Sequence, residues 1–385
     1  MTVTGVMINN QLKAVELFAG IGGFRLGMTN ADIETVWAND LSKLCCQVYE
    51  SNFGKGAIVL GDINDINISD IPAHDILTAG FPCQPFSAAG KKLGIKDQVR
   101  GTIFEQIVKI LAEKQPKYFL LENVKRLLTM QGGSHFRIIL DALSSLDYFI
   151  EWRIVNPINF GIPQNRDRVF IFGSKVEGKD SKNIELNKFS VFLNNCDTNL
   201  LLTAQKLENI MQPIVSSKSK NYNWGIAYKN TMYTHELLTL SVEQQTTKLK
   251  DILQDDFQVD KQFDFTADTI ERVKKSKRVN RYCNGVEILY NQGGGARLGY
   301  TIFGINGIAS TLTASTSRHY ERYKVNDKFR RLTNVEYARL MGFPDDWCRV
   351  ARIYDQYALF GNAVVPVCIE WICNRIGKRN FEWSK

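Results

Sequence analysis

Only four histidines occur in 385 residues, and none stands beside a cysteine at metal-ligand spacing. The eight cysteines, at positions 45, 46, 83, 196, 283, 348, 368 and 373, never pair as Cys-x-x-Cys. A zinc site and a disulfide framework are therefore not expected, and the thiols should be free. No run is apolar for the length of a membrane span, and Met1-Thr2-Val3-Thr4-Gly5-Val6 lacks the basic-then-apolar pattern of a secretory leader. A cytosolic chain without metal or membrane is expected. Charge of one sign is also in short supply: a formal +8 is too small to define a partner by itself. What remains, 44% hydrophobic and 23% charged residues, fits a globular chain with room for two domains.

The stretch Gly80-Phe81-Pro82-Cys83-Gln84-Pro85-Phe86-Ser87 stands out against that background. Asp75-Ile76-Leu77-Thr78-Ala79 before it is short, apolar and partly β-branched, which predicts a buried strand ending at Gly80. Cys83 then lies beyond the C-terminal end of a strand, the edge of an open α/β sheet where ligands bind. Pro82 and Pro85 fix φ on both sides of the thiol and remove two backbone donors. An arbitrary free cysteine is a small buried hydrophobe; this setting instead suits a nucleophile. The adjacent Cys45-Cys46 pair, in a helical pattern with Val48 and Tyr49, is expected to pack in the core.

A second loaded strand end lies near the N-terminus. Ala14-Val15-Glu16-Leu17-Phe18-Ala19 runs into Gly20-Ile21-Gly22-Gly23-Phe24, a turn through which backbone N–H groups can approach a cofactor. The glycines do not spell Gly-x-Gly-x-x-Gly. Twenty positions after Gly20, Asp40 follows a second strand-like run and offers a carboxylate to ribose hydroxyls. The combination indicates a nucleoside-bearing cofactor and leaves NAD and S-adenosylmethionine both open.

From residue 14 to 173, strand and helix patterns alternate as in a doubly wound α/β fold with a parallel sheet. Strands are expected at 14–18, 35–39, 57–60, 75–79, 118–122, 149–155 and 168–172. From 174 to 327 the pattern gives way to polar, weakly periodic sequence with loops such as Asn194-Asn195-Cys196-Asp197. Two basic runs stand in or beside that segment. One holds Arg272, Lys274, Lys275, Lys277, Arg278 and Arg281; the other holds Arg318, Arg322, Lys324, Lys328, Arg330 and Arg331, interleaved with His319, Tyr320 and Tyr323. Together they are expected to form a phosphate-tracking surface. Thr333-Asn334-Val335-Glu336 reads as a capping box opening a helix over 334–341.

These elements resemble, in order, the motifs of the DNA (cytosine-5)-methyltransferase family, of the prokaryotic restriction-modification type. After Phe18-Ala19-Gly20-Ile21-Gly22-Gly23-Phe24 and Pro82-Cys83-Gln84-Pro85-Phe86-Ser87 come Glu122-Asn123-Val124 and Gln164-Asn165-Arg166-Asp167-Arg168-Val169-Phe170. Arg331-Leu332-Thr333, Gly342-Phe343-Pro344 and Gly361-Asn362-Ala363-Val364-Val365-Pro366 complete the series. The matching segments span 14–173 and 328–375.

The resemblance implies an S-adenosylmethionine-dependent, Rossmann-like catalytic domain over 1–173 and 328–385, with a smaller target recognition domain inserted at 174–327. It implies methyl transfer from S-adenosylmethionine, leaving S-adenosylhomocysteine, to C5 of a flipped-out cytosine in double-stranded DNA. Cys83 is then the nucleophile at C6, Glu122 the acid at N3, Arg168 the partner of the cytosine O2, and Arg166 its companion. Phe18, Ala19, Gly20, Gly22, Gly23, Asp40, Leu41, Asp62, Ile63, Pro82, Asn362 and Ala363 are carried over as cofactor-binding positions. Leu41 departs from the family, which often has an aromatic there to stack on the adenine. The loop 87–94 resembles a mobile lid. Ser87, Arg297, Thr311 and Arg318 are expected at the DNA, with Gln292 a further base reader. A monomer acting beside a cognate restriction endonuclease, on nucleoid DNA, completes the expectation. An RNA methyltransferase is disfavoured by the long segment before residue 328, a silent DNA-binding protein by the intact Cys83, Glu122 and Arg168, and an NAD oxidoreductase by the Pro-Cys element.

Overall fold

The computed structural model describes residues 11–82, 103–176, 190–193, 209–217, 220–238, 240, 247–291, 301–314 and 322–383, with only the backbone for 377–383. Ten strands form one sheet: β1 Lys13–Leu17, β2 Glu34–Asp40, β3 Val59–Leu60, β4 Ile76–Gly80, β5 Tyr118–Val124, β6 Tyr148–Val155, β7 Arg168–Lys175, β8 Gln212–Pro213, β9 Trp224–Tyr228 and β10 Thr231–His235. Their order is β3-β2-β1-β4-β5-β7-β6-β9-β10-β8. All seven expected strands are present, and the third is cut to its last two residues.

The expected doubly wound α/β fold is present, and its sheet is parallel in one half only. Strands β1 to β5 pair in parallel, but β7 is antiparallel to both β5 and β6. The reason lies in the connection. Between Val155 and Arg168 the chain makes only a short 3₁₀ turn, Pro157–Phe160, so no crossover helix carries it back to the other end of the sheet. Antiparallel return brings the N-terminus of β7 to the edge where β4 and β5 end. The long middle segment also divides: β9 pairs with β6, Ile150 opposite Ala227, so residues 212–235 extend the large sheet.

The second sheet holds β11 Lys277–Cys283, β12 Val286–Asn291, β13 Thr301–Phe303, β14 Arg322–Val325 and β15 Lys328–Arg330, in that order. Residues 328–330 thus lie in this second sheet.

The large sheet is covered on both faces, as its near-continuous apolar strands require. Along β5, Leu120 faces one layer with Phe24, Met28 and Ile369, whereas Phe119 and Leu121 face the other with Ile107, Phe136 and Ile139. These side chains come from α1 Gly23–Asn30, α3 Ile103–Lys114, α4 Ser134–Ser144 and α8 Pro366–Trp383; the remaining helices are α2 Lys43–Phe53, α5 Ala267–Lys274, α6 Asn334–Leu340 and α7 Ile353–Asn362. Ser42 caps α2, accepting from the Cys45 N–H. Thr333 and Glu336 form the capping box of α6. The stretch Ile353–Ile376 is long and apolar enough to cross a membrane, but it is broken between α7 and α8 and is 67% buried inside the molecule.

The two ends of the chain pack together through glycine. A Cβ at Gly27 would stand 2.4 Å from the Pro366 carbonyl oxygen, and one at Gly23 would stand 2.4 Å from that of Val364. Only hydrogen side chains let α1 approach the chain entering α8 so closely.

Candidate active site

The ends of β1, β2, β3, β4 and β5 and the start of β7 lie along one edge of the large sheet. The turn after β1 is built on positive φ angles at Phe18 (54°), Gly20 (57°) and Gly22 (87°). Asp40, at the end of β2, holds it: Oδ2 accepts the Gly20 N–H at 2.8 Å, and Oδ1 accepts that of Ser42 at 2.7 Å. Each oxygen keeps a second lone pair for another donor.

A Cβ built on Gly20 or on Gly61 meets nothing within 4 Å, so both glycines border open space. Gly22 has no such room, because a Cβ there would meet the Phe53 ring at 2.4 Å. Around the opening, Leu41 is 68% exposed, Phe18 half-buried and Ile63 buried. Asp62 Oδ1 accepts from the backbone N–H and side-chain amide of Asn64, at 2.9 and 2.8 Å, leaving Oδ2 without a partner among the described residues. Asn362, exposed at the end of α7, and buried Ala363 stand beyond Gly23, which touches Val364. The predicted cofactor positions thus come from five separate segments. A glycine cradle, a carboxylate at the end of β2 and apolar walls fit a nucleoside-bearing ligand.

One strand further along, Glu122 on β5 lies directly opposite Gly80 on β4. Its Oε1 accepts from Arg168 Nε at 3.0 Å. Burial raises the Glu122 pKa, opposed by the charges of Arg168 and Arg166 and by the Arg168 hydrogen bond. Asn123 Nδ2 donates to the Phe81 carbonyl at 2.9 Å, which ties the chain leaving β4 to β5. Pro82 is the last described residue before 103. Cys83, Ser87, Gln292, Arg297 and Arg318 lie outside the described residues, as does 87–94, the segment expected to form a lid.

Arg166, expected as a companion of Arg168, points elsewhere. Its guanidinium is buried and donates from Nη1 to the Leu312 carbonyl at 2.9 Å and from Nη2 to those of Gly361 and Ala363 at 2.9 and 3.0 Å. Thr311, expected at the DNA, donates its hydroxyl to the Asn165 carbonyl at 2.5 Å. Gln164, quoted in its motif without a role, receives the Leu312 N–H and donates to the Leu340 carbonyl.

Among the described thiols, burial pushes Cys45 up to about 11 and Cys46, Cys348 and Cys373 up to about 12. Thiols held in that state are poor nucleophiles. Cys46 packs with Ala19, Ala38, Tyr49 and Ile58, as core packing predicts. No group of three or more histidine, cysteine, aspartate or glutamate side chains among the described residues is arranged to hold a metal ion.

The first basic run is exposed: Arg272, Lys274 and Lys275 end α5 or follow it, and Lys277, Arg278 and Arg281 lie on the edge strand β11. The second is not one surface. Arg330 is fully buried in a bidentate pair with Glu336, 2.8 and 2.7 Å, and Arg331 stacks over Phe263 and Tyr354. Adjacent charges, one fully buried on a carboxylate and the next half-buried on aromatic rings, cannot be separated by composition, because the partner of each is supplied by a different segment.

The model of the C-5 cytosine-specific DNA methylase family matches residues 12–378. The Type II methyltransferase M.HhaI of Haemophilus parahaemolyticus is 32% identical over 377 residues, covering 96% of this chain and 96% of that protein. The Type II methyltransferase M.NgoBI of Neisseria gonorrhoeae is 53% identical over 161 residues, 42% of this chain. The match spans half the length of that relative (50%), and likewise of M.HaeII of Haemophilus aegyptius. Among solved structures, a substituted DNMT2 of Spodoptera frugiperda superposes with a TM-score of 0.60 at 18% identity, covering 96% of this chain and all of that one (100%). The methyltransferase EhMeth of Entamoeba histolytica gives 0.59 at 16%, over 97% and 99%. At these identities the likeness is one of fold.

Proposed function

The chain belongs to the C-5 cytosine-specific DNA methylase family, and we propose that it methylates C5 of a flipped-out cytosine in double-stranded DNA through a covalent bond between Cys83 and C6. The Glu122–Arg168 pair carries this reading. It lies opposite Gly80, three residues and at most about 10 Å of chain before Cys83. A stacked base cannot reach that position, so the target must leave the duplex at a cost of roughly a few kcal/mol.

Cytosine C5 attacks a methyl group poorly unless the ring is first made an enamine. The Cys83 thiolate adds to C6, the C5–C6 π pair shifts into the ring, and N3 takes the proton of Glu122. Arg168 accounts for both remaining demands. It orients Glu122 through Nε, donates from Nη1 to the Asp167 carbonyl, and leaves Nη2 to donate to the cytosine O2. S-Adenosylmethionine, when bound, supplies the electrophilic methyl group. Gly20 would let it approach the backbone, with Gly22 and Gly23 closing the turn against Phe53 and Val364; Asp40 would accept its ribose hydroxyls, Asp62 its adenine amine, and Asn362 and Ala363 would border its amino-acid end. As C5 takes the methyl group, N3 returns its proton to Glu122; water then takes the C5 proton, and the pair of that C–H bond re-forms the C5–C6 double bond as the Cys83 thiolate leaves.

Target recognition is assigned to the unit on the five-stranded sheet, with the exposed basic edge β11 following phosphates. The Type II relatives support a role in restriction-modification.

Incubation with S-adenosylmethionine and unmodified plasmid, followed by base-resolution mapping of 5-methylcytosine, tests the reading. A mark confined to one short sequence, absent with Cys83→Ser, is expected. Turnover by the serine variant would remove the covalent step, and a plasmid left without any mark would remove the DNA substrate.

A further inference from the structure

Three segments distant in sequence meet at one guanidinium. Arg166, at 2% exposure, spans the Leu312 carbonyl on one side and the Gly361 and Ala363 carbonyls on the other. Its Nε has no partner among the described residues. Residues 309–313 are stitched along 163–165 as well. Ala309 N–H donates to the Pro163 carbonyl at 2.7 Å, Asn165 N–H to Ala309 at 2.9 Å, and Leu312 N–H to Gln164 Oε1 at 3.1 Å. The third contact is steric. A Cβ at Gly361 would stand 2.5 Å from the carbonyl carbon and oxygen of Thr313, so the end of α7 lies directly against this strap.

The strap follows β13 of the five-stranded sheet, the unit assigned to DNA. Ala363 follows Asn362, assigned to the cofactor's amino-acid end. We propose that Arg166 is a positioning residue that couples the two: DNA bound at the recognition unit and cofactor bound beside Ala363 each favour the arrangement of carbonyls that the other requires. The inference rests on the methyl-transfer reading above.

The physical argument is that the three carbonyls share one desolvated cation. Burial already pushes Arg166 down to about 9, against the help of Glu122. Moving either side of the clasp would strand a charged N–H away from water, so the two sides shift together or not at all. Planarity of the guanidinium makes the link stiff, which a lysine ammonium on a flexible stem cannot reproduce. Linkage then requires reciprocity: whatever factor DNA adds to cofactor affinity, cofactor adds to DNA affinity.

The test is calorimetric titration of S-adenosylhomocysteine, which cannot react, into the full chain with and without a duplex carrying the mapped site. The wild type is expected to bind it at least about fivefold more tightly on DNA, with the same factor in the reverse order of addition. Arg166→Lys should bring the factor close to one while a shared thermal transition persists. Thr311→Val, which cuts only the strap's bond to the Asn165 carbonyl, should lower the factor in part; it decides the matter if the lysine variant does not fold. An unchanged factor in the folded variants, or a factor of one in the wild type, overturns the coupling. A wild type that methylates DNA but shows no coupling overturns this inference alone; one that does not bind S-adenosylhomocysteine overturns both readings.

Discussion

Arg168 Nε lies 3.0 Å from Glu122 Oε1, although Phe170 and not Arg168 is the residue directly opposite Glu122 on the neighbouring strand. Residues two apart on a strand share a face, so the pair is a diagonal contact across β5 and β7. It depends on β7 running antiparallel, since that direction alone brings Arg168 to the edge where β4 ends.

The pair sets a pH dependence. An acid works while protonated, so single-turnover methylation should be lost as pH rises through the raised Glu122 pKa. Arg168 holds that value down against burial. Arg168→Met should therefore move the fall to higher pH, besides lowering its height. Glu122→Gln should slow the chemical step by about 10²- to 10⁴-fold with DNA binding retained. A pH profile unmoved by Arg168→Met would contradict the arrangement.

Glu16 makes a second pH statement, on stability. It is fully buried on β1, accepts from Tyr49 Oη at 2.8 Å, and has no partner on Oε1 among the described residues. Burial pushes its carboxyl up to about 8. The folded chain therefore holds one proton more than the unfolded chain between the ordinary carboxylate range and that value. Stability from this group is complete below that window and is lost as pH rises through it, by at most about 1.4 kcal/mol per pH unit. Glu16→Gln should flatten that slope in denaturant midpoints measured from about pH 5 to about pH 8. An unaltered slope would mean that Glu16 ionises in place.

Gly27 tests the junction of the chain ends. Glycine to alanine inside a helix ordinarily stabilises by up to about 1 kcal/mol. Here the new methyl would meet the Pro366 carbonyl oxygen at 2.4 Å, Ile369 Cβ at 2.6 Å and the Glu370 nitrogen at 3.0 Å. Gly27→Ala should instead destabilise by about 1–3 kcal/mol. A higher denaturation midpoint would show that α1 and α8 can separate freely.

The exposed basic residues of β11 give a prediction in salt. Each cation withdrawn from a phosphate lowers the slope of log affinity against log salt by about 0.9. Replacing Lys277, Arg278 and Arg281 together by serine should lower it by up to about 3, with little change in the sequence methylated. An identical slope would make β11 a solvated edge, protected by charge from pairing with other strands.

Whatever is written in neighbouring residues could be read from the chain alone. Strand ends, the glycine turn, the capping box of α6 and the two-proline setting of Cys83 are set by local sterics and hydrogen bonding. So is the placing of Asp40 and Arg168 at strand termini, and of Glu122 two residues before the end of β5. Relations that depend on which segments come together were fixed by packing and strand pairing. The direction of β7 follows from a helix-free connection, and the added strands β8 to β10 follow from pairing with β6, neither of which a periodicity encodes. Arg166 and Arg168, or Arg330 and Arg331, read alike as chemistry. Burial against Leu312, Gly361 and Ala363 makes Arg166 a clasp, and Glu336 turns Arg330 into a buried ion pair. A charged side chain declares its charge in the sequence, but its partner, and hence its use, is chosen by the fold.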